Sequence, residues 1–209
     1  MYLHFTPLTI QWMFPRFTWR REVGGQKKIF LTFDDGPVPE VTPFVLDVLR
    51  QYNAKATFFC VGENVLKHPN IFRQVLEEGH QAGNHTQNHL NGFKTDPQEY
   101  LDNVKLCEQQ LLRETSAVPG FFRPPYGRIR KKAADGILSS YEIIMWDVLP
   151  ADFDNTITPE KCLQKSIRYT RSGSIVVFHD NPKAFKNLSL VLPLYLAHFS
   201  ALGYTFELL

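Results

Sequence analysis

From residue 27 onward, short apolar runs alternate with longer stretches in which apolar positions recur at helical spacing. The runs span residues 29–33, 57–61, 81–84, 121–123, 142–146, 174–178 and 204–208, and each reads as a strand. Punctuation between them marks helices. Thr42 before Pro43 and Thr158 before Pro159 place a capping hydroxyl ahead of a proline suited to the first helical turn. Asp96-Pro97-Gln98-Glu99 has the form of a capping box, and Gly79, Gly173 and Gly203 stand where helices should stop. Pro193 interrupts the last helical pattern, so that pattern does not define where its helix starts.

Strands that alternate with helices pair in parallel through right-handed crossovers, in either an open sheet or a barrel. Polar clusters at the strand ends favour the barrel. Asp34-Asp35 follows the first strand, His85 the third, Arg123 the fourth, Asp152 the fifth and His179 the sixth. An open sheet would spread these groups along a line, whereas a closed one gathers the loops after its strands on one face. The expected fold is therefore α/β: a single-domain distorted (β/α)7 barrel with its active site at the C-terminal ends of the strands.

Composition changes this picture little. The chain has 209 residues, 44% hydrophobic and 13% aromatic, enough for one full core. A net charge of +2 gives no general electrostatic reason to bind nucleic acid, and the basic cluster Arg128, Arg130, Lys131 and Lys132 reads as a solvated face. Cys60, Cys107 and Cys162 are too few and too widely spaced for a disulfide framework or a thiolate metal site.

The chemistry is concentrated in two places. Asp34-Asp35-Gly36-Pro37 closes a buried strand with two adjacent carboxylates, and His85 and His89 follow at i, i+4. Asp-Asp-Gly-Pro alone is ordinary turn chemistry, and two histidines four apart are often merely solvated. Together they are the ligand types of an open catalytic metal site, with a second carboxylate left over as a base.

With these residues in view, residues 27–209 resemble the polysaccharide deacetylases of the NodB-homology type, carbohydrate esterase family four. Residues 32–37, 85–89, 123–127, 146–153 and 177–180 match that family's five motifs in order. The resemblance implies a metal site of Asp35, His85 and His89. It implies Asp34 as general base held by Arg123, the Tyr126 backbone N–H in the oxyanion hole, and His179 as general acid oriented by Asp152. Pro124, Tyr126, Phe153 and Val177 would line the substrate. Two positions depart from the family pattern: Phe153 stands where tryptophan is usual, and Val177 where leucine is common.

The activity so implied is removal of acetyl groups from N-acetylglucosamine-containing glycans of chitooligosaccharide or peptidoglycan type. The expected cofactor is one divalent ion, zinc by default, with cobalt, nickel or manganese compatible with the ligands. An O-acetyl esterase on xylan-like polymers is the alternative within the fold. A non-catalytic glycan-binding domain or a metal-free amidase fits less well, because base, ligands and acid are all present. Residues 1–26 read as an aromatic-rich arm packed on the barrel, with weak membrane-surface contact as a lesser alternative. No run approaches the length of a membrane span, and no export signal is recognisable. This predicts a cytoplasmic chain, with cell-envelope placement or secretion left open.

Overall fold

All seven apolar runs become strands, and every strand pair is parallel. In the computed structural model, which describes residues 3–115 and 119–209, the strands are β1 (Lys28–Asp34), β2 (Ala56–Cys60), β3 (Gln81–Asn84), β4 (Phe121–Phe122), β5 (Glu142–Ile143), β6 (Ile175–His179) and β7 (Thr205–Phe206). Residues 1, 2 and 116–118 lie outside that description. The sheet runs β5-β4-β3-β2-β1-β6, and β7 pairs with the lower end of β1. Among the described residues eight α-helices accompany the strands: α1 (Leu8–Met13), α2 (Val41–Gln51), α3 (Gly62–Lys67), α4 (Pro69–Glu77), α5 (Pro97–Leu112), α6 (Lys131–Ile137), α7 (Pro159–Tyr169) and α8 (Phe185–Ala201).

The sheet curls until its ends nearly meet. Beyond β5 the chain leaves β4 and crosses to β6, where Val148 pairs with Val176. That crossing explains why the fifth strand is shorter than its apolar run: Met145 N–H donates to Thr18, and Asp147 and Val148 N–H to Ile175 of β6, instead of to the β4 ladder. Lower in the seam, Thr18 pairs with Ile144 and Arg20 with Ser174. No helix among the described residues is long and apolar enough to cross a membrane.

Strand alternation sorts the side chains into two layers. Ile29, Leu31 and Phe33 face outward into the layer under the helices, where Val45, Leu46, Leu49, Leu192 and Tyr195 meet them. Phe30, Phe59, Ile144 and Ile175 form a smaller cluster inside the barrel. Each fully buried side chain of this size contributes about 1.5–3 kcal/mol relative to exposure, so the outer layer is the main stabiliser.

Two helix starts follow the sequence signals. Asp96 accepts from the N–H groups of Gln98 and Glu99, and Thr158 accepts from Lys161. Thr42 does not cap. α2 begins at Val41, and the Thr42 hydroxyl instead accepts from Val38 N–H and donates to Asp180. Pro43 is tolerated as the third residue of α2, because the first-turn N–H groups have no helical acceptor. Pro193 does not break α8 either. The helix runs through it, held by Leu188, Val191, Leu192, Tyr195 and Leu196, buried on both sides.

Candidate active site

Parallel register brings the strand ends level: Asp34 lies opposite Phe59 on one side and His179 on the other, and Cys60 lies opposite Asn84. The loops that begin there carry the polar clusters. Alternation alone would send Asp35 to the opposite face from Asp34. A left-handed backbone at Asp35, φ 85°, breaks the alternation and lets both carboxylates turn inward. Asn64 holds this turn by donating to the Asp35 carbonyl at 2.7 Å. Gly36 follows because nothing larger fits: a Cβ there would lie 1.9 Å from Asp180 Oδ2. Asp180 is buried and accepts from Gly36 N–H, and burial pushes its carboxyl up to about 8.

His85 and His89 lie on a loop after β3, not on a helix, with left-handed residues at Thr86 and His89. Their Nε2 atoms stand 3.5 and 3.0 Å from Asp35 Oδ1. The rings are aimed from behind. His85 Nδ1 lies 2.8 Å from the Arg123 carbonyl, which can only accept, so Nδ1 is the donor of that bond and Nε2 is the atom turned toward Asp35. His89 Nδ1 lies 3.1 Å from the Tyr126 hydroxyl.

Asp35 Oδ1 is buried and has no aligned hydrogen-bond donor. Burial alone would raise the Asp35 pKa, but the two imidazoles beside it, with His179 beyond, hold it well below the ordinary carboxylate range. An ionised oxygen facing two ring nitrogens fits a shared cation. The three donor atoms lie within 4.8 Å of one another.

Arg123 fills the barrel below this group. It is fully buried, and its guanidinium lies 4.1 Å from the Phe59 ring centroid. Nη1 donates to Asp34 Oδ1 at 2.6 Å and to Thr32 at 2.7 Å, while Nε and Nη2 donate to the carbonyls of Ile144 and Met145. Burial draws the Arg123 pKa down and the adjacent Asp34 charge opposes it. The second Asp34 oxygen points toward His85, 3.9 Å from Nε2.

On the far side, His179 Nδ1 lies 2.9 Å from Asp152 Oδ1, and His179 N–H donates to Asp152 Oδ2. Burial would lower the His179 pKa, but the charge and hydrogen bond of Asp152, with Asp35 and Asp34 beyond, lift it to about 9. The Phe153 ring meets His179 edge-on at 4.9 Å. Val177 lies on the same face of β6 two residues below His179, at the level of Thr32, and is buried. Pro124 is buried behind the loop, and Tyr126 is exposed with a left-handed backbone, φ 62°. Every residue picked out from the sequence therefore lies at this end of the barrel.

Asp147, in the same stretch as Asp152, does not join them. It sits lower, beside Arg20 at 3.2 Å and accepting from Ser174, and burial pushes its carboxyl up to about 7. Sequence reasoning missed Asn64, the Tyr126 hydroxyl and Asn181, whose Nδ2 lies 2.5 Å from Asp35 Oδ2. For Asn181 a signal existed, since it continues the polar run after His179-Asp180.

The chain is similar to known proteins along most of its length. The family profile described as polysaccharide deacetylase matches residues 21–142. A peptidoglycan-N-acetylglucosamine deacetylase of Bacillus cereus is 37% identical over 156 residues, covering 74% of this chain and 56% of that protein. The chain thus spans little more than half the length of that relative. A chitooligosaccharide deacetylase of Bradyrhizobium sp. is 35% identical over 172 residues, covering 79% of this chain and 78% of its own. The crystal structure of the Bc1960 peptidoglycan N-acetylglucosamine deacetylase superposes with a TM-score of 0.88 at 30% identity, covering 98% of this chain and 95% of that one. With its family profile matched over more than half its length and its curled barrel shared almost end to end, the chain belongs to the polysaccharide deacetylase family.

Proposed function

We propose that the protein is a metal-dependent hydrolase that removes acetyl groups from N-acetylglucosamine-containing glycans of chitooligosaccharide or peptidoglycan type. The observation that carries this reading is the convergence of Asp35, His85 and His89, flanked by the Asp34–Arg123 pair on one side and the His179–Asp152 pair on the other. Relatives named for both substrates support the substrate class.

Asp35, His85 and His89 would hold the ion, zinc being the default for two imidazoles and a carboxylate. When bound, it lowers the pKa of water and polarises the acetyl carbonyl. Asp34 takes the proton from the attacking water, and Arg123 holds that carboxylate in place. The backbone N–H of Tyr126 donates to the oxyanion that forms on the acetyl carbon, and Pro124 and Pro125 stiffen its loop. His179 donates from Nε2 to the departing nitrogen, since its Nδ1–H is committed to Asp152. Val177 and Phe153 wall the space on the acid side, giving the acetyl methyl an apolar surface.

Acetate release tests the reading directly. Chitooligosaccharides, peptidoglycan fragments and acetylated xylan would each be supplied with and without divalent ion. Metal-dependent release from the first two is expected. Release from acetylated xylan alone would replace the reading with an O-acetyl esterase, and release untouched by chelation would remove the metal from it.

A further inference from the structure

Each residue of the proposed metal trio has a second polar atom, and each of those atoms is held by a different neighbour. His85 Nδ1 meets the Arg123 carbonyl, His89 Nδ1 meets the Tyr126 hydroxyl, and Asp35 Oδ2 meets the Asn181 side chain. The Asn181 contact is the least expected, because Asn181 lies beyond the last family motif and on a different strand-end loop from the trio.

Its amide orientation is determined by its other bond. Ala184 N–H donates to Asn181 Oδ1 at 2.9 Å, which leaves the NH2 facing Asp35. Asn64 grips the Asp35 backbone from the opposite direction. The carboxylate is thus held at its main chain and at Oδ2, and Oδ1 is left buried without an aligned donor, facing the Nε2 atoms of both histidines.

We infer that Asn181 is a positioning residue for the cation: by tying up Asp35 Oδ2 it presents Oδ1 alone to the ion alongside His85 and His89. A carboxylate free to rotate would lose this preorganisation and could offer either or both oxygens. Neighbours that orient metal ligands typically contribute about tenfold to a hundredfold in metal affinity. The inference rests on the metal reading given above.

The test is ion binding to the full chain, measured by competition with a chromophoric chelator for Zn2+ and by the visible spectrum of the Co2+-loaded protein. Asn181→Ala removes both the donor to Asp35 and the acceptor for Ala184. Asn181→Ser restores a short acceptor at the start of α8 but places no amide at Asp35. Both variants should weaken Zn2+ binding by about tenfold or more and alter the Co2+ spectrum. The apo Asn181→Ser protein should melt like the unaltered one. Unchanged affinity and spectrum in Asn181→Ala would overturn the inference. So would normal binding in Asn181→Ser beside impaired binding in Asn181→Ala, which would assign the effect to the helix start. If the unaltered chain takes up no ion, the metal reading itself fails, an outcome distinct from either of these.

Discussion

Asp152→Asn offers the sharpest test of the acid assignment, because its effect should depend on pH in a calculable way. Asp152 accepts from both the ring and the backbone of His179, and its charge is the main influence lifting that imidazole to about 9 against the opposing effect of burial. The sign follows: a raised histidine pKa keeps the acid form populated at neutral pH and loses it as pH rises through the raised value. Without the Asp152 charge, His179 falls back toward its ordinary value near 6.5, because the Asp35 and Asp34 charges remain to offset burial. At pH 6 the acid is then still mostly protonated, and the variant loses less than about twofold from this cause. At pH 8 the protonated fraction falls from ~90% to ~3%, a loss of about thirtyfold. A pH-independent loss adds to this, because an amide can accept only one of the two bonds that the carboxylate accepts. A bound cation would draw both proteins' alkaline limbs to lower pH, so the comparison between them is the quantity to read. The assay is acetate release from an N-acetylated chitooligosaccharide between pH 6 and 8, with an activated aryl acetate as control. The control should be spared, because its leaving group departs with little protonation. A deficit that stays flat from pH 6 to pH 8, or that is equal on amide and ester, would refute His179 as the acid.

Further outcomes follow from the same geometry. His85→Ala should lose metal and acetate release yet keep the fold, as read by circular dichroism, because the main core lies in the layer between strands and helices; activity that survives the substitution would remove His85 from the site. Asp34→Asn should keep its ion and lose about a hundredfold or more in turnover, whereas Asp35→Asn should lose metal affinity first, so identical metal titrations for the two would reverse or void their assignment. Arg123→Ala leaves the Asp34 carboxylate buried without its counter-charge and should cost about 3–5 kcal/mol in denaturant unfolding, while a cost below about 1 kcal/mol would show that Asp34 does not rely on that charge.

The strand pattern and the motif order were legible in the chain itself because both are local. Apolar runs with turn residues between them state where strands and helices lie, and ligand-type residues at the strand ends state which chemistry is possible. The errors fell where tertiary packing outweighs local preference. Thr42 looked like a cap, but the three-dimensional neighbour that claimed its hydroxyl was Asp180. Pro193 looked like a break, but core contacts on either side of it carry α8 through. Asp147 and Asp152 stand five residues apart, yet the crossing from β4 to β6 leaves one beside Arg20 and the other beneath His179. Orientation was likewise beyond local reading. The left-handed turn that swings Asp35 into the site, and the Asn64, Arg123, Tyr126 and Asn181 contacts that aim its three donors, join residues up to 146 positions apart. Sequence names the atoms able to bind an ion. Only closure of the barrel sets their direction, because an oxygen or ring nitrogen is aimed by whichever neighbour satisfies its other valence, and those neighbours come from different strands.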